Sequence, residues 1–220
     1  MRLAVFASGG GSNFQAILDA IQRGELPAEV GLLVSDRPTA GAIRRAEAHR
    51  IPAAILPPST FEDESAYVYA LQKQLDEHRV NFIALAGYLK KIPSPIVQQY
   101  YGRMINIHPS LLPAFGGKGM YGLRVHRAVL AYGAKWTGAT VHLVDEEYDH
   151  GPIVLQEPVP VLPEDTPEIL AARVLRVEHR LYPKALGLFA ENRVEINGRT
   201  VTIKPSHYES DHSSRNPYGP

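Results

Sequence analysis

The sequence predicts an α/β fold: a single domain with a mainly parallel twisted sheet, a Rossmann-like N-terminal half and helices on both faces. Short apolar runs rich in β-branched residues alternate with longer amphipathic runs, which is the pattern of strands joined by crossover helices. Three glycines follow the first apolar run and precede the first amphipathic run. The 220 residues suit one domain of ordinary size, and no repeat or linker divides them.

Five strands and four helices alternate in the first half of the chain. The strands are short and mostly apolar, whereas the helices have apolar residues spaced at the period of an α-helix. The predicted strands are residues 3–7, 30–34, 53–56, 82–86 and 104–108, and the predicted helices are 13–23, 40–49, 65–78 and 93–100.

The second half begins with a short helix, predicted at 125–131, and two strands, predicted at 137–144 and 153–159. A long helix follows, because Thr166 is a suitable N-cap and Pro167 a suitable first helical residue. We expect Pro183 to kink or end this helix, since proline removes a backbone donor.

A closing hairpin is predicted from 194–196 and 199–203, with Asn197-Gly198 between them as a type I′ turn. Beyond the hairpin the composition changes to Ser, His, Asn, Asp and Pro. We therefore expect a domain over 1–204 and a flexible C-terminal tail over 205–220.

Composition excludes several functional classes. Lys plus Arg and Asp plus Glu number 23 each, so the net charge does not favour nucleic acid or a membrane surface as a partner. The absence of cysteine excludes disulfides, thiolate nucleophiles and Cys-ligated metal sites. No run approaches the roughly 20 apolar residues of a membrane span, and the N-terminal run is too short for a signal peptide. We expect a soluble cytoplasmic protein.

The loop Ser8-Gly9-Gly10-Gly11-Ser12-Asn13 has the composition of a phosphate-binding loop. Glycines let the backbone approach a ligand, and the start of the next helix offers free N–H groups and a positive dipole end. The side chains of Ser12 and Asn13 add donors. The alternative is a tight turn, capped by Ser12 or Asn13, that binds nothing.

Two nucleotide-binding patterns fit this loop poorly. No Lys-Ser or Lys-Thr pair follows the glycines, as a Walker loop requires. Gly9 and Gly11 meet the dinucleotide pattern, but Phe14 stands where its third glycine belongs. Asp36 follows the second strand and could bind a ribose hydroxyl, so a nicotinamide enzyme remains an alternative.

Asn106 and His108 lie at the end of the fifth predicted strand. Alternate residues of a strand face the same side, so these two project together, and Ile105 and Ile107 face the other way. The amide can donate a hydrogen bond to an oxygen that becomes negative, and the imidazole can donate another or move a proton. The pair predicts chemistry at a carbonyl oxygen.

An acidic loop follows the strand predicted at 137–144, and most of its carboxylates suit a solvated turn. Asp149 is different, because the nearby Gly151-Pro152 can hold it rigidly toward the sheet edge where His108 lies. A carboxylate beside an imidazole favours the charged ring and raises its pKa from about 6.5. We therefore expect His108 to be an acid at working pH.

Other polar residues have simpler interpretations. His126 and His142 could join His108 and Asp149 in a metal site, but they lack any recognised ligand spacing, so no metal is expected. His126 is expected to line the pocket and His142 to be structural. Ser110 lacks the G-x-S-x-G elbow of serine hydrolases.

Four motifs, in this order, resemble the phosphoribosylglycinamide formyltransferase family, folate-dependent enzymes of purine synthesis. They are the glycine loop 8–13, Ala86-Gly87-Tyr88-Leu89, Asn106-x-His-Pro-Ser-Leu-Leu-Pro and Asp149-x-Gly-Pro. The third motif marks the wider formyltransferase superfamily, and the glycine loop narrows the resemblance to this family. The similarity runs from residue 2 to about residue 203.

The resemblance implies transfer of a formyl group from 10-formyltetrahydrofolate, the cosubstrate, to the amine of 5-phosphoribosylglycinamide. It implies that Asn106 and protonated His108 stabilise the formyl oxygen, that Asp149 keeps His108 charged, and that His108 protonates the departing folate N10. The implied binding residues are Gly11, Ser12 and Asn13 for the substrate phosphate, Glu178 for its ribose, and Leu89, Lys90, Lys91, Ile92, Asn106, Asp145 and Asp149 for the folate.

Two other superfamily activities are weighed against this one. A formyltetrahydrofolate deformylase would release formate to water, but such enzymes usually carry an additional N-terminal regulatory domain. A methionyl-tRNA formyltransferase would need a basic surplus and a C-terminal tRNA-binding domain. The expected partners are the two small-molecule substrates, without nucleic acid or membrane, and a homodimer is left open.

Three features qualify the resemblance. Glu64 stands where some relatives carry a basic residue for the glutamate tail of the folate, so it is left out of the predicted site. The loop 113–125 is longer than in some relatives and contains four glycines, which makes it a candidate lid with Lys118 free to approach an anion. A plain surface loop is the alternative. From its position alone, Glu178 is expected to be an exposed helix carboxylate.

Overall fold

The computed structural model describes residues 1–205, which form a seven-stranded sheet, a two-stranded hairpin and six α-helices. The strands are β1 Arg2–Phe6, β2 Glu29–Ser35, β3 Ala53–Ile55, β4 Phe82–Leu85, β5 Met104–His108, β6 Trp136–Leu143, β7 Ile153–Pro160, β8 Val194–Asn197 and β9 Thr200–Ile203. The helices are α1 Ser12–Gln22, α2 Gly41–Ala48, α3 Glu64–Glu77, α4 Ser94–Gln99, α5 Leu123–Tyr132 and α6 Pro167–Ala190. The tail predicted over 205–220 lies, beyond residue 205, outside the described residues.

The large sheet has the strand order β3-β2-β1-β4-β5-β6-β7. Its first five strands are parallel, whereas β6 runs antiparallel to β5 and β7 antiparallel to β6. This confirms the mainly parallel sheet and the Rossmann-like first half. The strand order reverses between β1 and β4, so the connections leaving these neighbours diverge and open a crevice at their carboxyl ends.

Apolar layers cover both faces of the sheet, as predicted. Helices α1, α2, α5 and α6 pack on one face, where Phe14, Ile17 and Tyr182 are fully buried. Helices α3 and α4 pack on the other face, where Leu71 and Ile96 are fully buried. A parallel sheet covered on both sides can expose its polar side chains only at the strand ends.

The predicted bounds agree with the structure to within two residues for the nine strands and for helices α1 to α5. The expectation that Pro183 could end the long helix is wrong, because α6 continues through it to Ala190. Ala185 and Leu186 in the following turn are fully buried, so packing on the sheet offsets the missing backbone hydrogen bond. Of the helices within 1–205, none is long and apolar enough to cross a membrane.

The closing hairpin is present, but its turn lies one residue later than predicted. Asn197 pairs with Thr200, so Gly198 and Arg199 form the two-residue loop. Gly198 has a φ of 59°, and Arg199 is not among the residues of positive φ. This fits a type II′ turn, with glycine first, better than the predicted type I′ turn. Arg199 therefore lies at the tip of the hairpin and not in a strand.

One buried hydroxyl joins the long helix to two central strands. Tyr182 on α6 is fully buried, and its hydroxyl lies 2.9 Å from the carbonyl oxygen of Leu85 and 3.1 Å from that of Ile105. Burial holds the pKa of Tyr182 well above its usual value, so the hydroxyl remains a donor that the two carbonyls share. Tyr182 thus ties together β4 and β5, which lead into the polar edge of the sheet.

We expect Tyr182→Phe to lower the free energy of unfolding by about 1 to 3 kcal/mol, because two buried carbonyls lose their side-chain donor. Urea unfolding followed by circular dichroism measures this loss. Tyr132→Phe is the matched control, since Tyr132 is 81% exposed and should tolerate the change. A wild-type urea midpoint for Tyr182→Phe would contradict the role given to the hydroxyl.

Candidate active site

The connections that follow β1, β4 and β5 meet at the carboxyl edge of the sheet. Ser8 N donates to Gly87 O at 3.1 Å, and Leu89 N donates to Ser8 Oγ at 2.9 Å, so the first two connections are bonded to each other. Asn106 and His108 extend from β5 at the same edge. The structure thus brings together the glycine loop, the segment 86–89 and the Asn/His pair.

The glycine loop directs its carbonyl groups toward α2. Gly9 O accepts from Ala42 N at 3.1 Å, and Gly10 O accepts from Arg45 Nε at 2.9 Å. A Cβ atom on Gly11 would lie 2.8 Å from Ala42 Cα, so this close packing requires glycine. The carbonyl oxygens of Gly9 and Gly10, which are the negative ends of their peptide dipoles, are therefore hydrogen-bonded to residues of α2.

The start of α1 has no side-chain cap. Gly11 is the N-cap residue, with a φ of 73°, and no side chain accepts from the first N–H groups of the helix. The alternative in which Ser12 or Asn13 caps the helix is therefore wrong. Uncapped N–H groups at the positive end of a helix dipole can bind a phosphate.

Asn13 connects the glycine loop to the long helix. Its Nδ2 donates to Glu178 Oε2 at 2.6 Å, while its Oδ1 is buried without a partner. Glu178 is only 7% exposed, so the expectation of an exposed carboxylate is wrong. Burial raises the pKa of Glu178, against the opposing effects of the Asn13 hydrogen bond and the charge of His108. The residues predicted for phosphate and ribose therefore form one hydrogen-bonded unit.

Asn106 is oriented by a histidine on the neighbouring strand. It lies opposite His142 in the β5–β6 pair, and its Nδ2 lies 3.0 Å from His142 Nε2. His142 Nδ1 lies 2.8 Å from Leu143 O, which can only accept, so in the neutral ring Nε2 accepts from Asn106. The sequence predicted a structural role for His142 but not this contact, because only the strand pairing makes the two residues neighbours.

Both ring nitrogens of His108 face oxygen atoms. Nε2 lies 2.9 Å from Phe115 O, and Nδ1 lies 3.4 Å from Asp149 Oδ1. Since a carbonyl and a carboxylate can only accept, a doubly protonated ring satisfies both contacts. His108 is 3% exposed, and such burial strengthens the attraction between imidazolium and carboxylate.

The polar groups of the site converge on Asp149. Besides facing His108, its Oδ1 lies 3.4 Å from Asn106 Nδ2 and 3.6 Å from His142 Nε2, and its Oδ2 accepts from Gly117 N at 2.9 Å. Burial alone would raise the pKa of Asp149. The nearby imidazole of His108, its charge and the hydrogen bond from Gly117 hold that pKa well below its usual value. Asp149 is therefore a carboxylate at neutral pH.

The loop 113–125 packs directly on this cluster. It supplies the Phe115 carbonyl that faces His108 and the Gly117 N–H bonded to Asp149. A Cβ atom on Gly116 would lie 3.2 Å from Asp149 Cβ, so the close approach depends on glycine there. The loop is in contact with the predicted catalytic residues, and its closing over substrates as a lid stays a prediction.

A cleft leads outward from Asn106 between the predicted folate-binding segments. Its inner cavity of about 80 Å³ lies between Tyr88 and residues 90–92 on one side and residues 144–149 on the other, and its lining does not include Leu89. An outer cavity of about 540 Å³ shares Lys90, Lys91 and Ile92 with the inner one. Glu64, left out of the predicted site, lines the outer cavity beside the two lysines. The inner cavity alone is below the roughly 300–1,000 Å³ of typical ligand sites.

His126 is a buried histidine in the first turn of α5. It is 3% exposed, and its Nδ1 has no hydrogen-bond partner. Burial, and after it the charge of His108, lowers the pKa of His126 to about 4, so the ring is neutral at pH 7. Across residues 1–205, no group of three or more His, Asp or Glu side chains is arranged to hold a metal ion.

Comparison with known proteins finds relatives along most of the chain. A family profile described as formyl transferase matches residues 1–186. The chain is 46% identical over 193 residues to the chloroplastic phosphoribosylglycinamide formyltransferase of Vigna unguiculata, a match that covers 88% of this chain and 62% of the relative. It is 44% identical over 185 residues to the phosphoribosylglycinamide formyltransferase of Bacillus subtilis, covering 84% and 92%. The chain thus spans less than two thirds of the plant relative and most of the bacterial one.

Solved structures give the same relationship. The glycinamide ribonucleotide transformylase 1 of Symbiobacterium toebii superposes with a TM-score of 0.87 at 42% identity, over 93% of this chain and 94% of that one. A formyltetrahydrofolate deformylase from Pseudomonas syringae superposes with a TM-score of 0.83 at 26% identity, over 93% and 66%. The fold is common to both enzymes, and the sequence is closer to the transformylase.

We expect His126 to make the native state less stable as the pH falls from about 6.5 to about 4. Its pKa is lower in the folded than in the unfolded chain, so the unfolded chain takes up the proton first. The contribution of neutral His126 to the free energy of unfolding is complete above pH 6.5 and lost at about pH 4. Calorimetric Tm values across this range should fall less for His126→Gln than for the wild type. Parallel curves for the two proteins would contradict this assignment.

Proposed function

The chain belongs to the formyl transferase family, and on that basis we propose that it transfers the formyl group of 10-formyltetrahydrofolate to the amine of 5-phosphoribosylglycinamide. The products are formylglycinamide ribonucleotide and tetrahydrofolate, in a step of purine biosynthesis. The relatives from Vigna and Bacillus are named for this activity. The observation that carries the proposal is the presence of an uncapped glycine loop beside the Asn106, His108 and Asp149 cluster.

The glycine loop favours transfer over hydrolysis. A formyltransferase has to hold a phosphorylated acceptor, whereas a deformylase needs only the folate and a water molecule. The uncapped start of α1 and the buried Glu178, joined through Asn13, form a site of the kind the acceptor requires and a deformylase would leave unused. Sequence identity points the same way, at 44% to a formyltransferase against 26% to a deformylase.

We assign the acceptor to the glycine loop and the long helix. Its phosphate would bind the backbone N–H groups and side-chain donors of Gly11, Ser12 and Asn13. Glu178 would accept hydrogen bonds from the ribose hydroxyls, because a carboxylate can accept several at once. The 2.6 Å bond between Asn13 and Glu178 supports this assignment, since it fixes the distance between the two binding groups.

We assign the folate to the cleft that opens outward from Asn106. One wall consists of Lys90, Lys91 and Ile92, which follow Leu89 in the chain, and the other includes Asp145 and Asp149. The pterin would occupy the inner part, and the exposed lysines would attract the carboxylates of the folate tail. The inner and outer cavities share Lys90, Lys91 and Ile92 in their linings, which supports an elongated ligand in this position.

The reaction follows from these positions. The acceptor amine attacks the formyl carbon, and the carbonyl oxygen becomes negative in a tetrahedral intermediate. Asn106 and His108 donate hydrogen bonds to this oxygen, and one such contact contributes about 3 to 4 kcal/mol in a preorganised site. The bond from carbon to N10 then breaks as His108 gives its proton to N10. The proton lost by the attacking nitrogen restores His108, while Asp149 stays ionised throughout.

The loop 113–125 has to move for this reaction to occur. The Phe115 carbonyl lies 2.9 Å from His108 Nε2, which is the ring nitrogen not directed at Asp149. His108 can therefore donate to a substrate only after the carbonyl leaves. The Gly117 bond to Asp149 can persist, because it uses the other carboxylate oxygen.

We expect purified protein to form tetrahydrofolate from 10-formyltetrahydrofolate rapidly only when 5-phosphoribosylglycinamide is present. The acceptor amine is the required nucleophile, so formate release in its absence should be slow. Absorbance of the folate product and a separate formate assay measure the two reactions. Equal rates with and without the acceptor would identify a hydrolase and end the transferase proposal.

We expect Asn106→Ala and His108→Ala each to lower kcat by about 100-fold or more, because each removes a donor to the developing oxyanion. Steady-state kinetics with both substrates measure the loss, and circular dichroism checks the fold. His78→Ala is the control for a histidine substitution, since His78 follows α3 and lies near the start of β1, at the opposite edge of the sheet. A kcat within a few-fold of wild type for either site variant, with the fold intact, would refute its role.

A further inference from the structure

We propose that Arg199, at the tip of the closing hairpin, is a positioning residue for the folate. It acts by holding the acidic loop, defined here as residues 145–150, in the conformation that forms one wall of the folate cleft. This inference rests on the proposed function, because it takes the cleft to be the folate site. It concerns a segment beyond residues 1–186, which are the part of the chain that the family profile matches.

A chain of hydrogen bonds leads from Arg199 into the acidic loop. Arg199 Nη2 donates to His150 O at 2.7 Å, and its Nη1 lies 3.3 Å from His150 Nε2. His150 Nδ1 lies 2.7 Å from Asp145 Oδ2. A guanidinium can only donate and a carboxylate can only accept, so a neutral His150 with its hydrogen on Nδ1 satisfies both neighbours. The three side chains thus form one directed series of donors and acceptors.

The same contacts close the acidic loop on itself. Asp145 accepts from Glu147 N at 2.9 Å through Oδ1 and from His150 through Oδ2, so its carboxylate joins the beginning of the loop to its end. Arg199 then binds the last residue of the loop from outside. Without Arg199, the His150 carbonyl and ring nitrogen lose their donor, and the end of the loop is no longer anchored to the hairpin.

The acidic loop has two anchors that serve different purposes. Asp149 is held from inside by Gly117 N and by the charge of His108. Residues 145–149 line the inner cavity, and the outer anchor of the loop is the bond between Arg199 and His150. Loss of Arg199 should therefore disturb the wall that receives the pterin more than the catalytic carboxylate, and affect folate binding more than the acceptor site.

The position of Arg199 is specific to the turn observed here. Had the predicted Asn197-Gly198 turn formed, Arg199 would lie in strand β9. The type II′ turn places Gly198 first, with a φ of 59°, and Arg199 second, at the hairpin tip. The hairpin contacts the edge strand β7 through β9, which brings this tip to the loop that follows β6.

The test is steady-state kinetics of Arg199→Ala with each substrate varied in turn. We expect the KM for 10-formyltetrahydrofolate to rise about fivefold, as for loss of one exposed charge-assisted contact, and the KM for 5-phosphoribosylglycinamide to stay unchanged. Arg199→Lys retains the charge and should recover part of the loss. Direct titration with tetrahydrofolate, by equilibrium dialysis, should show the same weakening.

Glu195→Ala is the matched control, because it removes an exposed ion pair with Lys204 in the same hairpin, 3.5 Å long, without touching the acidic loop. It should leave both KM values unchanged. His150→Ala is a second variant that should raise the folate KM, and its effect should not add to that of Arg199→Ala because both break one series. These contacts are exposed, so we expect both variants to fold like the wild type.

Two results would overturn the inference. One is an unchanged folate KM in Arg199→Ala, and the other is an equal rise in both KM values, which would indicate a general structural role. Either result can be distinguished from failure of the proposed function. If the proposed function itself were wrong, the wild-type protein would not require 5-phosphoribosylglycinamide for turnover.

Discussion

The polar edge of this sheet is organised around one buried charge, the carboxylate of Asp149. A largely buried carboxylate stays ionised only when donors surround it, and here they come from β5 and the loop 113–125. The requirement to satisfy Asp149 therefore holds Asn106 and His108 of β5 in one arrangement, and His142 of β6 orients the Asn106 amide.

The sheet topology supplies the second constraint, because it determines which connections can meet. The reversal of strand order between β1 and β4 opens the crevice, and the Ser8 hydroxyl bonded to Leu89 N links its two sides. On the face of the sheet that α6 covers, Tyr182 ties this long helix to β4 and β5. Glu178 on the same helix accepts a hydrogen bond from Asn13. The helix that covers the sheet thus also fixes the spacing between the two halves of the site.

A structural feature could be predicted from the sequence only where neighbouring residues in the chain determine it. The alternation of β5 was enough to pair Asn106 with His108, because side-chain direction in a strand is a local property. The burial of Glu178 could not be predicted in this way, since its partner Asn13 is 165 residues away in the chain. The hairpin turn was misplaced by one residue because Asn-Gly and Gly-Arg both suit a two-residue turn, and the register of β8 with β9 decides between them.

The resting contacts also explain how the site can receive a substrate without being rebuilt. Asn106 donates to His142 at 3.0 Å and more weakly to Asp149 at 3.4 Å, so a formyl oxygen can take the second donor while His142 still orients the amide. His108 exchanges only its contact with Phe115. Two exchanged contacts are a small reorganisation, and little reorganisation is the condition under which fixed dipoles stabilise a transition state most effectively.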